Sequence, residues 1–303
     1  MFRGTLLYLS EQKRLRRFTE TSRLARRLTS RFVAGSTLAE AMGVCEQLKR
    51  SGILSTLDRL GESVTSLEEA EAARDGYLEA LSEIAARRLP ATVSIKLTQF
   101  GLRLSEERCH ENALALARAA AAANNRVEID MESSDLVDST LAIVTSLHAA
   151  CGNVRAVIQA YLRRSERDID DLCGRRIPVR LCKGAYKEPA AVAFARKSEV
   201  DASYIRLMRA LFDRGVCPAI ATHDERIIDA AKQYARDRGI LPSEFEFQML
   251  YGIRRDLERL LAQQRWTLRL YVPYGEAWYP YFMRRLAERP ANLFFLMRNL
   301  VKG

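Results

Sequence analysis

The fold is decided by residues 154–184, which read VRAVIQAYLRRSERDIDDLCGRRIPVRLCKG. This stretch begins with the apolar run VRAVIQAY (154–161) and ends with the apolar run PVRLCKG (178–184). The segment between them, SERDIDDLC (165–173), starts with a serine and carries acidic residues in its first turn, as helices commonly do. A strand followed by a helix and a second strand predicts a parallel β/α unit.

The same alternation continues along the chain after residue 50. The runs that predict strands number eight: GILSTLD (52–58), TVSIKLT (92–98), RVEIDME (126–132), VRAVIQAY (154–161), PVRLCKG (178–184), CPAIATH (217–223), FEFQML (245–250) and TLRLYVP (267–273). Segments of good helix formers separate them. Eight such units predict a (β/α)8 barrel of the α/β class, for which about 250 residues is typical. We expect an N-terminal helical segment over 1–50 and the barrel over 51–303.

Composition and hydropathy restrict the class of protein further. A hydrophobic content of 48% is enough to bury a sizeable core. No stretch approaches 18 uninterrupted apolar residues, and the N-terminus lacks the pattern of a signal peptide. The 6 cysteines show no CxxC spacing, which indicates reduced thiols rather than disulfides or zinc ligands. We therefore expect a cytoplasmic chain.

The net charge of +10 is unevenly distributed. Residues 1–31 contain nine Lys or Arg against two Glu, a local excess of +7. This segment is open to three interpretations: an arm for nucleic acid, an arm for an anionic membrane surface, or a solvated helix. No basic groove with interleaved aromatic residues accompanies the charge, so we expect no nucleic-acid partner.

Polar side chains occur at or just after the ends of nearly all the predicted strands. They are Asp58, Lys96, Asp130, Tyr161, Lys183, His223, Gln248 and Tyr271. In a (β/α)8 barrel the carboxyl ends of the strands and the loops that follow them form the active face. Strand ends also meet solvent and are often polar for that reason alone. The placement of lysine or aspartate directly after strongly apolar runs favours the functional interpretation.

Charged residues in and after the strands suggest particular chemistry. Lys96 and Lys183 can form a Schiff base, or can attract a carboxylate or a phosphate. Arg155 lies inside an apolar run, where a guanidinium is costly to desolvate unless it faces a ligand or an acid. Gln159 shares the face of Arg155 by the two-residue period and offers both a donor and an acceptor. A heterocycle with polar edges, such as a flavin, would use both residues; a buried ion pair is the alternative for Arg155.

His223 follows a predicted strand and precedes a predicted helix. The unpaired N–H groups at the start of such a helix favour a phosphate. The other two histidines lie inside helical patterns, so a histidine-rich metal site is not expected. No GxGxxG or P-loop sequence occurs, which argues against those nucleotide sites.

The segment YPYFMRRLAERP near the C-terminus forms one helical face of a different kind. Tyr281, Arg284, Arg285 and Glu288 fall at i, i+3, i+4 and i+7, so they lie on the same side of a helix. Two adjacent guanidiniums suit a carboxylate, and the tyrosine supplies an apolar wall. This face predicts recognition of a small apolar amino acid.

Seven motifs follow one another along the chain: SIKLTQFG (94–101), EIDMES (128–133), RAVIQAYLRRSERD (155–168), VRLCKGAYKE (179–188), ATHDER (221–226), FEFQMLYG (245–252) and the tail from YVPYGEAWYPYF onward. In this order they resemble the motifs of bacterial monofunctional proline dehydrogenase, an FAD enzyme. The resemblance covers residues 31 to 298. It implies a distorted (β/α)8 barrel whose last helix covers the active site, and oxidation of L-proline to Δ1-pyrroline-5-carboxylate by hydride transfer to FAD.

The resemblance also assigns site residues. It places Lys96, Arg284 and Arg285 on the proline carboxylate, Tyr271, Tyr281 and Leu250 around the ring, and Asp130, Tyr161 and Glu288 beside the charged groups. It places Arg155 beside the flavin N5, Gln159 at the pyrimidine edge, Lys183, Gly184 and Ala185 along the cofactor, and Thr222 and His223 toward its ribityl-phosphate. We group Gln248 and Tyr161 with the cofactor residues, and Arg155, Lys96 and Asp130 as the catalytic set; no metal is expected.

Partners follow from the same resemblance. A membrane quinone would reoxidise the flavin, and a separate pyrroline-5-carboxylate dehydrogenase would consume the product. The basic N-terminal segment is a candidate for peripheral contact with the inner membrane. Two departures from the family pattern stand out: Cys182 where valine is common, and Asp224 where asparagine is common. Asp224 adds a negative charge near the expected pyrophosphate.

Two other classes of function remain open on the residues alone. A Schiff-base aldolase on the same barrel would use Lys96 or Lys183, but it leaves Arg155, Gln159 and the Tyr-Arg-Arg-Glu face without a use. A basic adaptor protein would use the N-terminal charge, but this interpretation leaves the polar strand-end residues without a function. A flavin absorption spectrum would separate proline dehydrogenase from both.

Overall fold

The computed structural model describes residues 31–61, 64–279 and 281. Within them the chain forms eight strands, which are β1 (Leu54–Arg59), β2 (Ala91–Ile95), β3 (Val127–Ile129), β4 (Val154–Gln159), β5 (Val179–Cys182), β6 (Ala219–Ala221), β7 (Glu246–Leu250) and β8 (Leu268–Tyr274). Each strand pairs in parallel with the next, and β8 pairs with β1 to close the barrel. The predicted (β/α)8 barrel is confirmed.

Helices connect the strands on the outside of the barrel. They are α1 (Leu38–Arg50), α2 (Leu67–Ala86), α3 (Glu106–Ala122), α4 (Val137–Cys151), α5 (Ser165–Gly174), α6 (Lys197–Arg214), α7 (Glu225–Asp237) and α8 (Arg255–Gln263). Short polar side chains begin several of them: Thr37, Ser66, Ser105 and Asp224 each accept a hydrogen bond from a backbone N–H of the first turn. Such caps replace intrahelical partners that the first turn lacks.

Helix α1 precedes the first strand and packs against β1 and β8. Its buried residues Ala41, Met42 and Cys45 belong to the same hydrophobic core as the barrel strands. The division into a helical segment over 1–50 and a barrel over 51–303 stays a prediction, because residues 1–30 lie outside the described residues. The predicted covering helix also lies outside them beyond Tyr281.

The eight predicted strands are all present, but several predicted runs extend past the carboxyl end of the strand. TVSIKLT (92–98) contains a strand that ends at Ile95, and RVEIDME (126–132) one that ends at Ile129. The residues after these ends leave the sheet and enter the loops of the active face. Lys96 and Asp130 therefore stand at the rim of the barrel rather than inside its sheet.

The amino-terminal half of the barrel interior contains an ionic group that we call the floor cluster: Glu128, Arg155, Glu246 and Arg269. All four side chains are buried. Arg155 Nη1 lies 3.3 Å from Glu128 Oε1 and also pairs with Glu246, while Arg269 Nε lies 3.0 Å from Glu246 Oε1. These residues are the first or second of their strands, so the cluster lies near the amino ends of the sheet.

Candidate active site

A cavity of about 830 Å³ opens at the carboxyl ends of the strands. Its lining includes most of the predicted site residues: Lys96, Asp130, Gln159, Lys183, Gly184, Ala185, Thr222, His223, Gln248, Leu250, Tyr271 and Tyr281. Apolar side chains such as Met131, Val157 and Met249 complete the walls. Ligand pockets combine largely apolar walls with a few convergent polar groups, so this cavity is the candidate active site.

One side of the cavity holds a compact hydrogen-bonded group around Lys96. Lys96 Nζ lies 2.8 Å from Asp58 Oδ1 and 3.7 Å from Asp130 Oδ2, and donates to Tyr271 Oη over 3.3 Å. Tyr271 in turn donates to Asp130 Oδ2 over 2.7 Å. Side chains in or just after β1, β2, β3 and β8 therefore converge.

The titration of this group follows from its burial. Burial raises the pKa of Asp58, although Lys96 opposes that change. Burial, followed by the charge of Asp130, raises the pKa of Tyr271 well above its ordinary value. Tyr271 therefore keeps its proton and acts as a hydrogen-bond donor at neutral pH.

Arg180 is a cavity residue that the sequence patterns did not predict. It extends from β5, lines the cavity, and donates to Asp130 Oδ1 over 3.0 Å and to Ser94 Oγ over 2.8 Å. Its guanidinium carbon lies 5.5 Å from the centre of the Tyr271 ring, within the range of a cation–π contact. Arg180 thus connects the Lys96 group to the base of the cavity.

The structure corrects the position predicted for Arg155. This residue does not line the cavity; it belongs to the floor cluster, and its Nη2 donates to the carbonyl of Cys217 over 3.0 Å. Strand register explains the difference, because Arg155 is paired with Glu128 whereas Arg180 is paired with Val157, two residues further along β4. Two residues of a strand span about 6.6 Å, which separates the floor from the cavity. The buried ion pair is the correct interpretation of Arg155.

Two glutamines present amide groups to the cavity. Gln159 Nε2 donates to the backbone carbonyl of Glu132 over 2.8 Å, which fixes the orientation of its side chain. Gln248 Nε2 lies 3.2 Å from Glu128 Oε2 and 2.7 Å from Glu246 Oε1. Both residues are buried and line the cavity as predicted.

The opposite side of the cavity has the features of a phosphate site. It is formed by Thr222, His223 and the start of α7, whose N-cap is Asp224. The backbone N–H of Leu250 donates to His223 Nε2 over 3.0 Å, so the proton of a neutral imidazole resides on Nδ1. Arg226 and Arg254 also line this side. A helix start with nearby cations favours an anion.

Asp224 lies beside this anion site but does not leave an unbalanced charge there. Lys183 Nζ lies 2.8 Å from Asp224 Oδ2 and 2.5 Å from Asp201 Oδ1, and Lys197 pairs with both acids. Burial opposes ionisation of Asp224, but the hydrogen bond and charge of Lys183, together with the charge of Lys197, outweigh it and hold the pKa of Asp224 below its ordinary value. The departure from the family pattern is therefore compensated by neighbouring lysines.

Tyr161 supports the cavity wall, but it is not among the described residues that line the cavity. Gly184 has a φ of +108°, and a Cβ at that position would come within 2.2 Å of the Tyr161 ring. Only glycine fits there, so the chain at 184–185 lies flat against the tyrosine and leaves space in the cavity. Burial raises the pKa of Tyr161.

Tyr281 closes part of the cavity from the C-terminal side. It packs with Phe32, Ile253 and Tyr279 in an apolar cluster that also contacts Leu250. Arg284, Arg285 and Glu288, the other members of the predicted helical face, lie outside the described residues. Their placement on a substrate carboxylate stays a prediction.

The residues present fit a flavin. The cavity volume of about 830 Å³ is near the upper end of ligand pockets and admits a cofactor together with a small substrate. The glycine cradle at 184 and the helix start at α7 suit a long cofactor with a phosphate end. Among the described residues, no group of three or more His, Cys, Asp or Glu side chains could hold a metal ion.

A closed barrel with polar side chains gathered around a cofactor-sized cavity at its carboxyl end defines a (β/α)8-barrel enzyme. Comparison with protein families matches residues 41–298 to the family described as Proline dehydrogenase. The chain belongs to the proline dehydrogenase family.

Individual relatives agree with this assignment. Proline dehydrogenase 1 of Bacillus subtilis (strain 168) is 40% identical over 304 residues, which cover 100% of both proteins. Proline dehydrogenase of Deinococcus radiodurans is 39% identical over 281 residues, 91% of each protein. A crystal structure of proline utilization A from Bdellovibrio bacteriovorus, inactivated by N-propargylglycine, has a TM-score of 0.81 at 26% identity; it covers 87% of this chain, which spans 33% of that one.

Proposed function

We propose that the chain oxidises L-proline to Δ1-pyrroline-5-carboxylate with FAD bound in the cavity. The observation that carries the proposal is the convergence of Lys96, Asp130, Arg180 and Tyr271 beside two glutamines and a helix start, in a chain of the proline dehydrogenase family. The first group suits an amino-acid substrate. The glutamines and the helix start suit a cofactor with a heterocycle and a phosphate end.

The substrate would lie between the Lys96 group and the cofactor. Lys96 attracts its carboxylate, and each charge-assisted hydrogen bond contributes roughly 1.5–3 kcal/mol net. Tyr271 and Leu250 supply walls for the pyrrolidine ring. Arg284 and Arg285 would bind the same carboxylate from the covering helix, as the resemblance implies.

The proline nitrogen must be neutral, so that its lone pair assists loss of the hydride. The chemistry supplied by bound FAD is acceptance of a hydride from the ring carbon next to that nitrogen. Arg180 carries a positive charge on the inner side of the cavity, where it stabilises the negative charge that develops during this transfer. This assignment replaces Arg155 with Arg180 in the catalytic set.

For the cofactor, we propose that Gln159 and Gln248 contact its polar ring edge and that Lys183, Gly184 and Ala185 line it. Thr222, His223 and the start of α7 would hold its phosphates, with Arg226 contributing positive charge. This charge is needed because Lys183 is shared between two aspartates.

The contacts of the two lysines disfavour a Schiff-base aldolase. An amine nucleophile must lose its proton, which requires desolvation or a neighbouring cation. Lys96 instead lies within 4 Å of two aspartates, and so does Lys183. Contacts with these carboxylates occupy both amines, which disfavours their attack on a carbonyl substrate.

The visible absorption spectrum tests the proposal. We expect purified protein to be yellow, or to become so when FAD is added, and to reduce an artificial electron acceptor in the presence of L-proline. Arg284→Met should raise KM for proline steeply while the flavin stays bound. Borohydride trapping of a carbonyl substrate on a colourless protein would support the aldolase instead.

We further propose a membrane quinone as the final electron acceptor and a separate dehydrogenase as the consumer of the product. Among the described residues, no helix is both long and apolar enough to span a bilayer. Contact with the inner membrane would fall to the basic segment 1–31, through anionic lipids. Co-sedimentation with anionic vesicles that weakens with salt supports this contact, and salt-insensitive or absent binding refutes it.

A further inference from the structure

Glu128 lies below the cavity and connects the floor cluster to the cavity wall. It is a fully buried carboxylate on β3 that does not itself line the cavity. Its oxygens contact side chains from five other strands, which are those of Thr92, Arg155, Arg180, Gln248 and Arg269. Two of these partners, Arg180 and Gln248, line the cavity. A buried carboxylate with this many partners fixes their relative positions.

The donors of Arg180 can be assigned individually. Nε donates to Glu128 Oε2 over 2.9 Å, Nη2 donates to Glu128 and to Ser94, and Nη1 donates to Asp130 over 3.0 Å. A guanidinium has five N–H donors, so these bonds use four. One N–H on Nη1 has no partner among the described residues. Since Arg180 lines the cavity, this remaining donor is the one that a bound molecule can use.

The orientation of Gln248 follows from similar reasoning. Its Nε2 faces Glu128 Oε2 at 3.2 Å and Glu246 Oε1 at 2.7 Å. Carboxylates only accept hydrogen bonds, so the amide must turn its NH2 group toward them. This leaves Oε1 of Gln248 as the acceptor available to the cavity.

We propose that Glu128 is a positioning residue for proline oxidation, which holds the donor of Arg180 in place. The proposal rests on the proposed function and extends it to a residue that does not contact the cavity. Without the paired bonds from Nε and Nη2, the guanidinium of Arg180 loses two of its four hydrogen bonds. It can then turn about its long side chain, and the charge near the cofactor is no longer fixed.

The floor cluster offers a matched control for this proposal. Glu246 is also buried, also pairs with Arg155 and Arg269, and also accepts from Gln248. It has no bond to Arg180 among the described residues. A purely structural contribution to the barrel would therefore appear in both Glu128→Gln and Glu246→Gln, whereas positioning of Arg180 would appear only in the first.

The experiment compares FAD-loaded Glu128→Gln and Glu246→Gln with wild-type protein in anaerobic flavin reduction by saturating L-proline. We expect Glu128→Gln to lower the reduction rate by roughly 10- to 100-fold, the range for loss of a charged hydrogen bond. KM for proline should change little, since Lys96 is untouched. Glu246→Gln should lose thermal stability but keep a reduction rate close to that of wild type.

A double-mutant cycle with Arg180→Gln shows whether Glu128 acts through Arg180. We expect Glu128→Gln to add little to the loss already caused by Arg180→Gln. The double variant removes two opposite charges together, so it should leave no unpaired buried charge. It can be compared with Arg180→Gln even where Glu128→Gln alone does not fold.

Three results would overturn the proposal: a wild-type reduction rate in Glu128→Gln, an equal loss in Glu246→Gln, or losses that multiply in the double variant. Failure of the proposed function is distinguishable from these, because wild-type protein itself would then not be reduced by proline.

Discussion

Two arginines on neighbouring strands of the barrel, Arg155 on β4 and Arg180 on β5, have nearly the same local sequence, a single arginine among apolar residues. Arg155 lies in the floor cluster and is paired with Glu128 and Glu246. Arg180 shares Glu128 as a partner, but it also lines the cavity and bonds Asp130. The difference between them is depth along the barrel axis, which strand register sets.

This comparison shows how one ionic network serves two purposes. At the floor, acids and arginines are enclosed by the barrel, and their mutual pairing offsets the cost of desolvation. At the cavity, the same network ends in the guanidinium of Arg180, which has one N–H donor without a partner among the described residues. Substitution of Arg155 should therefore act mainly on stability, whereas substitution of Arg180, or of Glu128 that holds it, should also change the rate of the chemistry.

The largest effect is expected from Arg155→Met. This change leaves Glu246 and Glu128 with fewer cations in a buried site, and removal of one partner of a buried ion pair costs about 3–5 kcal/mol. Denaturant unfolding should show this loss. The folded fraction should retain a kcat near that of wild type; a loss of turnover without a loss of stability would assign Arg155 to the chemistry instead.

Acid should act on the floor cluster in a defined pH range. Burial disfavours ionised Glu128, but Arg180 and Arg155 outweigh burial and lower the pKa of its carboxyl from 4.5 to about 2. A lowered pKa contributes stability that is present above pH 4.5 and is lost as the pH falls toward 2. Unfolding free energies measured across this range should decline more steeply in wild type than in Glu128→Gln. Equal slopes would contradict the assignment.

Arg180→Met should have a larger effect on rate than Arg155→Met, because only Arg180 of the two lines the cavity. Removal of one preorganised donor from a site of developing charge costs about 100- to 1,000-fold in kcat. Steady-state kinetics with L-proline and an artificial acceptor would measure it. A variant that unfolds as readily as Arg155→Met while retaining its kcat would remove the distinction between the two arginines.

Lys96→Met should change binding more than rate. Lys96 is expected to attract the substrate carboxylate, so its loss should raise KM for proline by roughly 10-fold or more, the equivalent of one charged hydrogen bond. The measurement is the proline dependence of turnover, with FAD content as the control. An unchanged KM would place the carboxylate elsewhere in the cavity.

The sequence was sufficient for the fold because eight short, largely apolar runs alternate with segments of good helix formers. It was also sufficient for Lys96, Asp130 and Tyr271, since residues directly after or late in a strand must lie near the active face. The sequence did not show that Arg155 and Arg180 lie at different depths along the barrel axis. Depth in a barrel depends on the stagger between neighbouring strands, and a single strand carries no information about that stagger.

Asp58 and Glu128 illustrate the same limit in different ways. Asp58 was noted only as a polar strand end, yet it supplies the nearest carboxylate to Lys96 at 2.8 Å. Glu128 lies in the motif EIDMES, but its contacts come from five other strands and cannot be read from that motif. Local sequence patterns specify the strands and helices. The way the strands close into a barrel specifies which side chains contact each other.

The central claim is that the cavity above the floor cluster brings FAD and L-proline together. Anaerobic titration of the FAD-loaded protein with L-proline, followed by visible absorption, tests it most directly. We expect the bound flavin to be bleached by about an equivalent of proline in wild type, and much more slowly in Arg180→Met. A protein that binds no FAD, or whose bound FAD stays oxidised in excess proline, would contradict it.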